Sequence, residues 1–258
     1  MIPKTIHYCW FGGKPKPKSV IKCIKSWRKK CPDYEIVEWN ESNYDVTQNR
    51  YMKEAYDEKK WAFVSDYSRL DIIYRYGGVY LDTDVELVRT LDPFLDSRAY
   101  FAFQFNQIVA PGLGFGAEQG NELIKILMEQ YESLSFYHED SSLNLTPMPE
   151  FLSPVFSNYG FKLNGDYQNI GGIIVYPREY FDPLDYSTGF IFKTKKTVSI
   201  HHYFASWYSE DNSEERRIMR RNGRIFFVRT IPNRLLLNLL GDKRYEKLKC
   251  ILKRTDKS

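Results

Sequence analysis

Apolar positions along the chain fall into short blocks that alternate between strand and helix periods. Residues 2–11, rich in β-branched and aromatic side chains, end at Gly12-Gly13 and at Pro15 and Pro17, which predicts a buried strand. Residues 19–30 carry Val20, Ile24 and Trp27 on one helical face, joined by Cys31, with Ser19 as N-cap and Pro32 as breaker. Residues 34–39 form a second strand, so the opening is a βαβ unit and implies a parallel sheet. Residues 61–76 read as a helix stopped by Gly77-Gly78, followed by a short strand at 79–81 that runs straight into Asp82-Thr83-Asp84.

Further along, residues 100–105 predict a strand and 111–120 a glycine-rich loop. Residues 121–134 predict an amphipathic helix through Leu123, Leu127 and Tyr131. Residues 141–154 read as irregular, and two more strands are expected at 172–176 and 197–201. No repeat or low-complexity linker interrupts the chain. The expected architecture is α/β with a Rossmann-like, mostly parallel central sheet flanked by helices. It occupies residues 1–212, with a basic helical extension over 213–258.

Composition adjusts this picture only slightly. A chain of 258 residues that is 43% hydrophobic and 27% charged suits one large domain with a substantial core. Aromatic residues reach 16%, which fits sugar and base stacking and equally a Tyr-rich core. The net charge of +4 is unevenly spread, since residues 4–30 hold nine basic residues and no acid. From Ser213 onward fourteen Lys and Arg stand against five Asp and Glu. Basic ends around an acidic middle suit contact with phosphates or anionic lipid.

Cys9, Cys23, Cys31 and Cys250 form neither a CxxC pair nor a zinc spacing, so free thiols in a reducing cytosol are expected. The first residues lack a signal peptide's pattern, and no stretch of eighteen apolar residues predicts a membrane span.

The chemistry centres on Asp66-Tyr67-Ser68-Arg69 in the predicted helix and Gly77-Gly78-Val79-Tyr80-Leu81-Asp82-Thr83-Asp84 after it. In an extended segment residues i and i+2 point the same way, so Asp82 and Asp84 would present two carboxylates to one spot. Paired hard oxygens at a strand end suit Mn²⁺ or Mg²⁺, which keep open positions for substrate phosphates. Asp66 and Arg69, three apart on a helix, share a face and can hold sugar hydroxyls as a neutralised pair.

The run Ala62-Phe63-Val64-Ser65-Asp66-Tyr67-Ser68-Arg69 followed by Tyr76-Gly77-Gly78-Val79-Tyr80-Leu81-Asp82-Thr83-Asp84 resembles the DXD region of the family-32 type of glycosyltransferases. That family includes bacterial capsule and lipopolysaccharide enzymes and the yeast initiating mannosyltransferase. The glucosyltransferase domain of the large clostridial toxins is similar there too. The opening Ile2 to Gly13 and the segment His201-His202-Tyr203-Phe204-Ala205-Ser206-Trp207 resemble the family's first strand and C-terminal block, so the likeness spans roughly the first 210 residues.

It implies a GT-A fold, a retaining metal-dependent hexosyltransferase, a nucleotide-sugar donor expected to be a UDP-sugar, and Mn²⁺ or Mg²⁺. Carried over, Trp10 would stack on the base, and Ser65, Asp66 and Arg69 would contact the ribose or donor sugar. Tyr80 would pack beside the diphosphate. Asp82 would bind donor hydroxyls or assist the metal, Asp84 would ligate it directly, and His201, in preference to His202, would complete the shell. Ser206 and Trp207 would close over the phosphates. Asp66, Arg69, Asp82 and Asp84 are therefore the expected catalytic set.

The acceptor is expected to be a glycan or lipid-linked oligosaccharide of a bacterial surface polysaccharide. Leu152-Ser153-Pro154 and Asn169 are expected on the acceptor side. No nucleic-acid partner is expected. Arg216, Arg217, Arg220, Arg221 and Arg224, then Leu235 to Leu240 flanked by Lys243, Arg244 and Lys247, suit either an interfacial helix on anionic lipid or a helix docked on the core. A cytoplasmic protein, peripheral on the inner membrane face, follows from the first alternative.

Two rival readings remain. The Asp82-Thr83-Asp84-Val85 segment also fits the DxDx[TV] strand of a haloacid-dehalogenase-type phosphatase, although Gly165-Asp166 and Gly241-Asp242 lack the second acid that such an enzyme needs. A non-catalytic carbohydrate-binding module could use the aromatics but gives no reason for Asp66 and Arg69. Gly112-Leu113-Gly114-Phe115-Gly116-Ala117 imitates a dinucleotide fingerprint without the βαβ frame that motif requires.

Overall fold

A computed structural model of the chain describes residues 1–204 and 217–228. Its first βαβ unit is β1 (Thr5–Cys9), α1 (Lys18–Lys30) and β2 (Glu35–Trp39), with β1 and β2 parallel. Then come α2 (Arg50–Asp57), α3 (Trp61–Tyr76), β3 (Gly78–Tyr80), β4 (Val85–Leu87), β5 (Ala99–Ala102), β6 (Phe115–Ala117) and α4 (Glu122–Glu129). The remainder is α5 (Met148–Tyr159), β7 (Gln168–Ile170), β8 (Ile173–Tyr176), β9 (Ser199–His201) and a helix, α6, over 217–228.

Seven strands make one sheet in the order β2-β1-β3-β6-β5-β8-β7, in which only β6 and β7 run against the others. The strands β1, β2, β3, β5 and β8 therefore all end at one edge, where open α/β sheets place their ligands. A two-stranded antiparallel ribbon of β4 and β9 stands apart from that sheet.

Helix α1 buries Val20, Cys23, Ile24 and Trp27, as its spacing predicts, but begins at Pro17 without a side-chain cap, so Ser19 lies inside it. It anchors β4 directly: the Trp27 indole donates to the Val85 carbonyl at 2.7 Å, and Ser26 Oγ accepts from the Leu87 N–H at 2.9 Å. Helix α3 is buried along most of its length and forms the wall under β3. It stops at Gly77, whose φ of +66° no ordinary side chain adopts easily. At Gly78 a Cβ would lie 2.7 Å from the Thr5 carbonyl, so glycine is what lets β3 lie against β1.

Two expectations fail here. Residues 148–159 are helical, not irregular, because Met148, Leu152, Val155 and Phe156 bury one face despite Pro154. Helix α4 ends at Glu129, short of the expected 134, and Tyr131 reaches the core from the turn beyond it. Cys9, Cys23 and Cys31 are free and buried, and no helix among the described residues is long and apolar enough to cross a membrane.

The chain forms two compact units, Met1–Asp185 with Ile191–Trp207, and Tyr186–Phe190 with the residues from Tyr208 on. In the second unit the Arg224 guanidinium donates to the Thr188 carbonyl at 2.7 Å, and the Phe190 and Phe227 rings meet edge to face. The leucine-rich part of the tail, with Arg216, lies outside the described residues.

One buried histidine in β1 gives a test of this core. His7 accepts from the Trp39 indole N–H at Nδ1 (3.1 Å), so its proton sits on Nε2, which faces the Gly77 carbonyl at 3.1 Å. A second proton would have to displace the Trp39 donor, and burial pushes the His7 pKa down from 6.5 to about 4. Between those values the unfolded chain binds a proton that the folded chain lacks. Stability contributed by the neutral ring is therefore present above pH 6.5 and lost as pH falls toward 4, by up to ~3 kcal/mol. Urea unfolding at neutral and acid pH should show a shallower acid loss in His7→Gln than in the native chain. Equal losses would refute the assignment.

Candidate functional site

The segment after β3 does not continue as a strand. Residues 83 and 84 form a tight turn, closed by the Val85 N–H donating to the Asp82 carbonyl at 3.0 Å. Asp82 and Asp84 converge because of this turn and not through strand alternation, which corrects the geometry expected from their i, i+2 spacing. Beyond the turn β4 pairs with β9 in a register that sets Val85 opposite His201. His201 Nε2 thereby lies 3.0 Å from Asp84 Oδ1, and one donor atom each from Asp82, Asp84 and His201 fall within 4.8 Å of one another.

Backbone groups fix the rest of Asp84. Its second carboxylate oxygen accepts from the Phe204 N–H at 2.9 Å, and its carbonyl accepts from the His202 N–H at 3.0 Å. The His202 side chain turns away from the cluster to Glu86 Oε2 at 2.9 Å, so His201 is the imidazole beside the carboxylates.

Behind the acids stands Arg69, on α3 one turn beyond Ser65 and Asp66. Its Nη2 lies 3.1 Å from Asp66 Oδ1 and 3.2 Å from Asp82 Oδ1, and it donates to Ser65 Oγ at 2.9 Å. Its Nε donates to the Ser65 carbonyl at 3.0 Å, and the Tyr80 ring lies under the guanidinium at 5.1 Å. Tyr80 itself is buried, with its hydroxyl bonded to Asp82. Tyr80 and Ser65 thus act on the site through Arg69 and Asp82.

Electrostatics follow from this packing. Burial lifts the Asp66 carboxyl to about 6 against the pull of Arg69. Burial also raises Asp82, partly offset by Arg69. Asp84 is held below the usual carboxylate range, because His201 outweighs the burial that would raise it. His201 is raised, its two neighbouring aspartates outweighing its own burial.

Two oxygen donors and an imidazole at this spacing suit Mn²⁺ or Mg²⁺, and His201 Nδ1 is buried without a hydrogen-bond partner. Asp82, Asp84 and His201 are therefore the residues that could hold such an ion.

Trp10 follows β1 at the same sheet edge. It is partly buried, its indole N–H donates to the Lys14 carbonyl at 2.7 Å, and the Lys16 ammonium covers its ring at 5.6 Å. Ser206 and Trp207 lie outside the described residues. Leu152 and Ser153 are core residues, the latter bonded to the Val109 N–H at 2.8 Å, so they line no cleft.

Three contributors carried no local signature. Asp182 is fully buried and accepts from the Tyr203 hydroxyl at 3.0 Å, while the Tyr203 ring packs 4.1 Å from that of His201. Gly112, in the glycine-rich loop, is the third. A Cβ there would sit 2.8 Å from Asp82 Oδ2 and 3.2 Å from Arg69 Nη1. Gly112→Ala should leave the fold intact while pushing this pair aside, lowering turnover by about tenfold, roughly 1.4 kcal/mol. Steady-state kinetics beside a melting curve checks this, and unchanged turnover would show that the loop yields.

Residues 17–101 match the family described as "Glycosyltransferase sugar-binding region containing DXD motif". The inositol phosphoceramide mannosyltransferase 3 of Schizosaccharomyces pombe is 36% identical over 103 residues, covering 38% of this chain and 29% of that protein. The mannosyl phosphorylinositol ceramide synthase SUR1 of Saccharomyces cerevisiae is 32% identical over 108 residues, 39% of this chain and 27% of its own length. The chain thus spans less than a third of either relative. Among solved structures, PaToxG glycosyltransferase superposes with a TM-score of 0.51 at 17% identity, over 62% of this chain and 70% of that one, which shows a shared fold. Residues 17–101 of this chain are a glycosyltransferase sugar-binding region of the DXD type, carried on a GT-A fold.

Proposed function

We propose that the chain transfers a hexosyl group from a nucleotide-sugar donor to a glycan or lipid-linked acceptor, with retention of anomeric configuration. The observation that carries this reading is the convergence of Asp82, Asp84 and His201 in front of the Asp66–Arg69 pair. A divalent cation bound by these three residues supplies Lewis-acid stabilisation for charge on the departing diphosphate. Arg69, pinned by Ser65, Asp66 and Asp82, holds one fixed orientation toward the donor. Asp66 accepts hydrogen bonds from sugar hydroxyls, and Trp10 offers its ring to the base. Positioning by these groups supplies much of the rate. No protein nucleophile is needed if a donor phosphate oxygen takes the acceptor's proton. Retention rests on the family resemblance.

The test is incubation with Mn²⁺ and a panel of UDP- and GDP-sugars, followed by nucleoside diphosphate release. GDP-mannose belongs in the panel because both fungal relatives are named for mannosyl transfer. Donor-dependent release that disappears in Asp84→Ala supports the reading, and phosphate release from simple monoesters overturns it. The phosphatase alternative needs a second acidic cluster, and among the described residues Asp82, Asp84 and His201 form the one group of this kind.

An acceptor in surface polysaccharide and a cytoplasmic site of action belong to the same reading. So does a division into a transferase domain over 1–212 and a basic extension over 213–258 that rests on anionic lipid. Flotation of the full chain with phosphatidylglycerol vesicles tests the last point, and no binding would remove it.

A further inference from the structure

The sheet edge that carries the acids extends well beyond them, and its far side is built differently. Beyond β5 the chain makes a narrow hairpin, with Phe103 bridged to Val109 and the Gln104 N–H donating to the Ile108 carbonyl at 2.9 Å. Phe105, Asn106 and Gln107 stand exposed at its tip, Phe105 being 46% accessible. The Phe105 N–H bonds the buried Asp182 carboxylate, which in turn lies beside Tyr203 and His201, so this hairpin is braced against the acid cluster.

At its outer end the tip meets the loop before β7, since a Cβ at Gly165 would touch Gln107 Cγ at 3.7 Å. Two residues on, Tyr167 stands 53% exposed with its ring set edge to face on Tyr176 at 5.5 Å.

Spacing gives this wall a meaning. Neighbouring strands are roughly 4.8 Å apart, so β5 lies about 10 Å and β7 about 19 Å from β3 across the sheet. Phe105 and Tyr167 thus continue outward from the acids in a row, on the side opposite Trp10. Exposed aromatic faces separated by the amides of Asn106 and Gln107 match the alternation of C–H faces and hydroxyls along an oligosaccharide. The row is too long for a single sugar and carries little charge for a phosphate-bearing headgroup.

We infer that the acceptor is a chain of several sugars, whose terminal residue lies at the acids and whose preceding residues stack on Phe105 and then Tyr167. This rests on the transferase reading and sharpens its substrate class. Phe105 and Tyr167 would set preference for acceptor length, taking no part in the chemistry.

The experiment uses the full chain with Mn²⁺ and the donor found active in the panel. Acceptors are mannose, glucose and galactose oligosaccharides, from mono- to tetrasaccharide. Equilibrium binding of the same sugars, with Mn²⁺ and the nucleoside diphosphate present, is followed by ligand-observed NMR. The expected result is that kcat/KM or, where no sugar is turned over, affinity rises at least tenfold with length in one series. Tyr167→Ala should lose most of that rise through KM, Phe105→Ala should lose its inner part, and Tyr167→Phe should keep it. Melting curves of each variant guard against misfolding. No rise with length in any series, or an equal rise in Tyr167→Ala, overturns the inference. Absence of donor turnover by the native chain counts instead against the transferase reading.

Discussion

Asp84→Ala should lower donor turnover by about a thousandfold, roughly 4 kcal/mol, and abolish stabilisation by Mn²⁺. Asp84 meets three demands at once. One carboxylate oxygen faces His201, the other takes the Phe204 N–H, and its carbonyl takes the His202 N–H. Removing the carboxylate deletes a ligand atom and also frees the segment that delivers His201. His202→Ala, which touches Glu86 and not the cluster, should leave Mn²⁺ stabilisation within twofold of native. Electron paramagnetic resonance of bound Mn²⁺ reads the loss without reference to turnover. An Asp84→Ala chain that binds Mn²⁺ as tightly as the native one would move the metal site elsewhere.

Arg69→Met should cost about 4 kcal/mol of stability, because it leaves the buried Asp66 and Asp82 carboxylates without their common partner. The deficit has a direction in pH. Burial already raises both acids with Arg69 in place, and without it they rise further. Protonation then relieves the penalty, so the variant's deficit should be largest near pH 8 and shrink toward pH 5. Adding Asp66→Asn and Asp82→Asn to Arg69→Met should recover much of the stability while activity stays absent. Urea unfolding across that pH range decides it, and a deficit below about 1 kcal/mol at pH 8 would show that the acids find other partners.

Helix α3 could be read from sequence because apolar residues line it and Gly77-Gly78 stops it where no side chain fits. The β1–α1–β2 unit was legible for a similar reason: its apolar face, Pro32 and strand spacing all agree. The acids were legible as a motif, but their geometry was not. A turn closed by the Val85 N–H leaves no mark in residues 82–85 that separates it from a continuing strand. The β4–β9 ribbon escaped notice for want of length, since three residues a side cannot display alternation. Helix α5 was hidden by Pro149 and Pro154, whose cost is outweighed by the burial of Leu152, Val155 and Phe156. The closeness of Gly112 to Asp82, and of Asp182 to His201, exists only in three dimensions.

The β4–β9 ribbon also divides the site in a way that the family match does not reveal. That match ends at residue 101, whereas His201 arrives a hundred residues later, carried by the second strand of the ribbon. Two of the three metal-binding groups are thus inherited with the sugar-binding region, and the third is furnished by whatever follows it. An ion gripping all three would act as a tether across that intervening loop, and closing a loop of this length by a single bond removes several kcal/mol of unfolded-chain entropy. Chelation should therefore loosen the second half of the chain first, and limited proteolysis with and without Mn²⁺ should reveal it.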